Sequence, residues 1–280
     1  MKKSFFKVSL LGFASIAMVL TSCEQDQEIT VDQTKSTLEL AKEHAKKIGY
    51  NPDDIEIRDF YFPDGKTGER IFIEDDIALT EEQFFGLEQI QTLEKQYRTF
   101  NLVTGTNRTI DILGYTANNA NGLSSKAQSG LRWAVANYNR LSGVSLDLRL
   151  TFGTNFQAAD MVVYDTSSSN SSSGGVAGFP SNSGVPNKFV QIYNLEGFST
   201  NVNEHVITHE IGHSIGFRHS DYFSRQSCGQ SGEAAGTAGA VYIPGTATGW
   251  DPSSLMNACF SGSTDGEFNN NDVTALQNMY

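Results

Sequence analysis

An α+β fold, with helices backing a mixed sheet, is what the sequence predicts. Short β-rich runs alternate with long amphipathic stretches over roughly residues 105–200. A His-rich segment at 205–219 has helical spacing, and an amphipathic helix closes the chain after a Gly-rich stretch. The 280 residues suffice for one domain with a sizeable core plus an extension. Acidic residues (32) outnumber Lys and Arg (20), giving a net charge of −12. That charge makes nucleic acid and anionic lipid poor partners, because both are bound by cations. A hydrophobic content of 39%, with 18 Phe and 10 Tyr, excludes a wholly disordered chain. Three Cys are too few for a disulfide scaffold.

The chain opens with Lys2, Lys3 and Lys7, followed by an apolar run from Ser9 to Leu20. The run is short for a bilayer span of ~20 residues and has the order of a secretory signal. It ends Leu20-Thr21-Ser22-Cys23, which resembles a bacterial lipobox. That resemblance implies cleavage before Cys23 and lipidation of Cys23. The chain is then exported and anchored by lipid to a bacterial membrane, at the outer membrane or cell surface.

Thr34 to Lys47 has helical periodicity, and His44 on its polar side reads as a surface residue. Ile55 to Phe62 and Glu69 to Glu74 read as strands joined by the turn Pro63-Asp64-Gly65. Thr80-Glu81-Glu82-Gln83 is a capping box predicting a helix to about Arg98. A second unit starts near residue 105, with a strand from Arg108 to Tyr115. Leu123 to Leu141 is an amphipathic helix carrying Leu131, Trp133 and Tyr138. Strands follow at Ser145 to Phe152, Met161 to Tyr164 and Phe189 to Tyr193, with Ser167 to Gly175 read as loop. Helices are predicted from about Asn201 and about Asn271, separated by loop from Cys228 to Gly249. The resulting organisation is 1–22 signal, 23–104 acidic tether and N-terminal unit, and 105–280 a larger second unit.

The chemistry concentrates in His209-Glu210-Ile211-Gly212-His213, followed by Gly216 and His219. On a helix, His209 and His213 share one face and can hold one metal at ~2.0–2.1 Å. Glu210 adjoins the first ligand and reaches a water on the metal. Gly216 suits the left-handed end of a helix, after which His219 can return as third ligand. Three protein ligands leave an open position, the catalytic arrangement for zinc. By chance, this five-residue pattern arises on the order of once in a hundred thousand chains of this length. His205 lies four before His209 but lacks the adjacent Glu, so it reads as a neighbour and not a ligand.

The spacing resembles the metzincins, whose Met-turn lies downstream. Ser253-Ser254-Leu255-Met256-Asn257 is the matching segment. The string at 209–213, together with Tyr242-Ile243-Pro244-Gly245-Thr246 and Leu255-Met256-Asn257-Ala258, resembles more closely the bacterial HEIGH metallopeptidases. The resemblance covers roughly residues 105–280. It implies a twisted mixed five-stranded sheet, an active-site helix, a Met-turn with Met256 beneath the zinc, and a C-terminal helix. It also implies a zinc endopeptidase in which Glu210 is the general base. Gly175-Val176-Ala177-Gly178-Phe179-Pro180 resembles the matrixin segment where substrate pairs along the sheet edge, making Gly178 and Phe179 substrate-edge candidates. Thr208 and the segment after Met256 are expected to shape the pocket for the residue after the cut. Ala258 stands where some metzincins carry Tyr, and no Cys lies between Cys23 and Cys228, so a cysteine switch is excluded.

Cys228 and Cys259 remain once Cys23 is assigned to lipid; a disulfide between them or two buried thiols are the alternatives. Asp165 could assist calcium, but reads more simply as a turn residue. Ile73-Glu74-Asp75-Asp76-Ile77 resembles the Phe-x-Gly-Asp segment of astacin pro-regions, with Ile73 for Phe and Asp75 for Gly. That resemblance makes Asp76 a candidate latency switch, its carboxylate filling zinc's open position. The expected partners are protein or peptide substrates, with the chain a monomer touching membrane only through its anchor. The rival reading is a catalytically idle, lipid-anchored binding or adhesion protein on the same scaffold.

Overall fold

The structure is a computed structural model, described over residues 35–87, 97–230, 241–247 and 249–280. The signal, Cys23 and the start of the tether lie outside the described residues. Helix α1 (Thr37–Ile48) opens on a Ser36–Glu39 capping box and stops at left-handed Gly49. Strands β1 (Ile55–Tyr61), β2 (Thr67–Ile73) and β3 (Ile77–Leu79) form an antiparallel sheet in that order. Ile55, Ile71, Ile73, Ile77, Leu79 and Phe84 bury against Ala41, Ala45 and Ile48 of α1. Each such Ile, Leu or Phe contributes about 1.5–3 kcal/mol when fully buried.

Helix α2 (Glu81–Phe85) has the capping box at Thr80 but ends long before Arg98. Residues 88–96 lie outside the described residues. Tyr97–Arg98 forms β4, where pairing with other chain segments overrides the helical pattern. His44 is half-buried, its ring packed edge-on against Phe84 and tilted against Phe85, and is not the plain surface residue expected.

The main sheet comprises β5 (Thr109–Tyr115), β6 (Asp147–Gly153), β7 (Met161–Asp165), β8 (Gly174–Val176) and β9 (Phe189–Tyr193), in the order β6-β5-β7-β9-β8. The first four strands in that order are parallel, and edge strand β8 is antiparallel to β9. The five-stranded mixed sheet is therefore as the sequence implied. Gly174 and Gly175 belong to the edge strand, however, because ladder bonds to β9 capture the end of the Ser-rich run.

Helices α3 (Ser125–Asn139) and α4 (Thr200–Ile215) pack on the sheet, their Leu131, Ala134, Val206 and Ile211 meeting Ile110, Val163 and Val190 in the main core. Trp133, placed with the apolar positions of α3, instead stays 45% exposed. Strand β10 (Val241–Tyr242) pairs with β4, and α5 (Asn270–Met279) closes the core with Ala275, Leu276 and Met279. Residues 35–280 form one compact unit. No helix among the described residues is long and apolar enough to cross a membrane.

Candidate active site

Every residue of α4 from Val202 to Ile215 is buried, so its polar side chains need partners inside the protein. The helix ends at Gly216 with φ 118°. A Cβ there would stand 2.8 Å from Leu102 Cδ2 and 3.0 Å from Asn101 O, so glycine is required twice over. Thr99 N donates to Gly216 O and Arg218 N donates to Tyr97 O. The segment beginning at β4 thereby holds the turn that returns His219.

The three imidazoles converge. His213 Nε2 lies 2.9 Å from His209 Nε2 and 3.2 Å from His219 Nε2. Each Nδ1 faces an oxygen and donates to it: His209 to Leu255 O at 3.0 Å, His213 to Phe217 O at 2.9 Å, His219 to Glu74 Oε2 at 2.7 Å. Those acceptors assign the proton to Nδ1 and leave each Nε2 lone pair aimed at a common point. Three lone pairs at such distances repel unless a cation sits between them. Bonds of ~2.0–2.1 Å to a tetrahedral metal space nitrogens about 3.3–3.4 Å apart, close to what is found. The donor set therefore fits a metal.

Asp76 joins this group. Its Oδ2 is 2.7 Å from His219 Nε2, 3.7 Å from His209 Nε2 and 3.9 Å from His213 Nε2. Burial opposes ionisation of Asp76, yet the facing histidines hold its carboxyl well below the usual range. Burial, and then the charge of Asp76, push Glu210 well above it. Glu210 Oε2 is buried without a hydrogen-bond partner. The rest of that side chain lies against the sheet edge: a Cβ on Gly175 would fall 2.5 Å from its Cγ and 2.6 Å from its Oε1.

A Cβ on Gly212 would meet Met256 Sδ at 2.6 Å, so the Met256 sulfur packs against the helix at Gly212. Asp272 of α5 accepts from Leu255 N, and Met256 O accepts from Ser220 N, fixing that turn. Cys228 and Cys259 are joined by a disulfide. Asp221 accepts from Ser227 N and Ala258 N beside it.

A cleft of about 520 Å³ runs past Asp76, Gly175, His209, Glu210 and Arg225. Segment 76–78 lies along its edge: Ala177 N donates to Asp76 O, and Ala78 N donates to Ala177 O. Gly178 abuts this segment, since a Cβ there would meet Ala78 O at 2.8 Å. Phe179 is buried in the N-terminal core, so neither residue lines an open edge here. Asn257 to Phe260 line the cleft. Thr208 does not shape it, because its Oγ1 donates to Glu204 O within the buried helix. His205 stands apart from the metal group, its Nδ1 2.9 Å from Thr264 Oγ1. Asp165 accepts from Ser167 N, a turn contact.

The sequence reading missed Glu74, which contacts His219, Arg218 and Arg225. A signal existed: Arg218, flanked by Phe217 and His219, is a cation headed for burial and needs an anion.

Three convergent imidazoles with an adjoining carboxylate beside a cleft can hold a metal and activate a water for hydrolysis. The chain belongs to the dual-action HEIGH metallo-peptidase family, whose profile matches residues 71–280. The match begins before the segment that the sequence resemblance covered and takes in the Glu74–Asp76 turn. Two solved structures are similar in trace. One, "Structure of myroilysin", is 13% identical with a TM-score of 0.41, covering 64% of this chain and 96% of that one. The other, "Crystal structure of myroilysin", is 11% identical with a TM-score of 0.37, covering 64% and 86%. No curated relative matches the chain.

Proposed function

We propose that the protein is an exported, lipid-anchored zinc endopeptidase of metzincin type, held latent by its own N-terminal part. His209, His213 and His219 hold the metal. Zinc in that position supplies Lewis acidity, acidifying a water and polarising the scissile carbonyl. Glu210 takes the water's proton and passes it to the leaving amine. Its raised pKa in the latent chain comes from burial and from Asp76, so departure of Asp76 favours the ionised base.

The observation that carries the latency is Asp76: its carboxylate stands within 2.7–3.9 Å of all three ligand nitrogens. The adjoining backbone occupies the sheet edge that a substrate would use. Activation then means that this segment lets go of the cleft, which either a cut or loss of the Asp76 contact brings about. The 23–104 bounds of the N-terminal part would put that cut near residue 104. The bonds from Tyr97 O and Thr99 N to the Gly216–Arg218 turn favour a cut on the N-terminal side of Tyr97, leaving that support in place.

The test compares full-length proteins at equal zinc content on a casein or quenched-peptide substrate. Wild type is expected to be latent and Asp76→Ala active without a cut. Asp64→Ala, in the turn where Asp64 pairs with Lys66, stays latent. Equal activity of wild type and Asp76→Ala eliminates the switch. The anchor is checked by fatty-acid labelling, which Cys23→Ser should abolish.

A further inference from the structure

Glu74 is buried in a pocket with two arginines. Its Oε1 is 3.4 Å from Arg218 Nη2, and its Oε2 is 3.6 Å from Arg225 Nη1. The Arg218 side chain is 1% exposed, and its guanidinium carbon lies 4.3 Å from the Tyr50 ring centre and 4.8 Å from that of Tyr222. Glu74 and Tyr50 belong to the part that latency requires to leave; Tyr222 and both arginines remain.

Arg225 is held in place independently of Glu74. It sits at φ 46°, its N–H donates to Asp221 O, and the Cys228–Cys259 bond closes the loop three residues on. Its side chain lines the cleft with His209 and Glu210. Its Nε is buried with no hydrogen-bond partner, and the 3.6 Å approach of Glu74 is longer than a hydrogen bond. A fixed, under-used guanidinium donor in a cleft wall is costly unless an acceptor arrives.

We infer that Arg225 forms a subsite for an acidic side chain of the substrate, and that Glu74 fills it in the latent chain. The inference rests on the peptidase reading above and names its substrate class: peptides with Glu or Asp close to the scissile bond. An incoming carboxylate restores the charge pairing that departure of Glu74 removes. A neutral or basic side chain leaves the Arg225 guanidinium in the cleft wall without that acceptor. The same carboxylate can accept from His219 Nδ1, as Glu74 does at 2.7 Å, orienting a metal ligand from the substrate side.

The test uses the zinc-loaded full chain carrying Glu74→Ala and Asp76→Ala. Peptide pairs differ only as Glu or Gln, placed in turn at each of the three positions on either side of the cut. At one position the Glu peptide should be cleaved at least ~10-fold better in kcat/KM, as a charge-assisted pair implies. Arg225→Gln should bring that ratio to parity, and Arg225→Lys should keep part of it. In a second readout, the same peptides bind the metal-free chain carrying Glu210→Ala as well, followed by fluorescence anisotropy. The Glu peptide should bind tighter, with the gap narrowing at high salt. Cleavage of both series at parity in every position overturns the subsite and leaves the peptidase reading standing. If neither series is cleaved, the peptidase reading fails, and anisotropy alone decides the subsite, equal binding overturning it. Should Arg225→Gln fail to fold, the Glu-to-Gln ratio of the parent is itself decisive.

Discussion

Substituting Gly175 by Ala tests whether the sheet edge positions Glu210, the general base proposed above. The added Cβ would lie 2.5 Å from Glu210 Cγ, 2.6 Å from Oε1 and 2.8 Å from Cδ. Carbon atoms rest at about 3.5–4.0 Å, so the Glu210 side chain must retreat by about 1 Å. It is 2% exposed on a helix buried on every side, which leaves it little room to do so. A misplacement of about 1 Å at a reacting group costs ~100-fold in rate, or about 2.7 kcal/mol of barrier. Gly175 is not among the residues at positive φ, so Ala meets no backbone penalty there. Loss of the fold is therefore not the expected cause of the rate loss. The assay is kcat/KM on a quenched fluorogenic peptide in the Asp76→Ala background, with zinc content and Tm measured alongside. Gly174→Ala is the control, since its Cβ meets nothing nearer than the Tyr193 hydroxyl at 3.3 Å. If Gly175→Ala keeps the activity of its parent at equal zinc content, Glu210 is not positioned by the edge strand and the argument is wrong.

Three further outcomes are expected. Glu210→Ala should retain about one zinc per chain, yet lose at least ~100-fold in activity, whereas His213→Ala should lose both; metal analysis with the peptide assay separates these. Thiol titration of unfolded, unreduced protein lacking Cys23 should find no free thiol, and Cys259→Ser should cost about 3.5–4 kcal/mol in the chain-entropy model; two free thiols would sink the pairing. Glu204 is raised from 4.5 to about 7 by burial and by Glu267. The native state therefore binds the extra proton between those values, and the contribution to stability present below 4.5 is lost as pH rises through about 7. Tm should fall over that window in wild type and fall less in Glu204→Gln, with parallel curves counting against it.

Much of the fold was legible because burial imposes a period on the sequence. Strand β6 alternates, with Leu148 buried between exposed Asp147 and Arg149, and its limits were read to within two residues. Local chemistry likewise marked Thr80, whose side chain caps α2 by accepting from Gln83 N. What failed was non-local. Nothing inside Tyr97-Arg98 announces a strand; the pairing comes from Val241–Tyr242, about 140 residues on. Gly174 and Gly175 read as loop because glycine carries no strand signal, and the ladder to β9 is what recruits them. Trp133 was assigned to a buried face by its composition alone, and α3 simply does not bury that side.

The site divides along the same line. The histidine triad is written within eleven residues, so helix geometry and one glycine turn suffice to assemble it. The carboxylates that face it come from about 135 residues upstream. Asp76 was found only through a motif resemblance, and Glu74, two residues away, was not found at all. Alternation along an extended strand would put both on one face. The chain does something else: Glu74 and Asp75 take φ values of 55° and 74°, turning β2 into β3 so that Ile73 pairs with Ile77. That tight turn sends Asp76 toward the Nε2 face of His219 and Glu74 toward its Nδ1 face. One imidazole is thus gripped from both sides by residues two apart. A positive-φ pair of acidic residues is costly, and here its cost is offset by two charged contacts to a single buried ring.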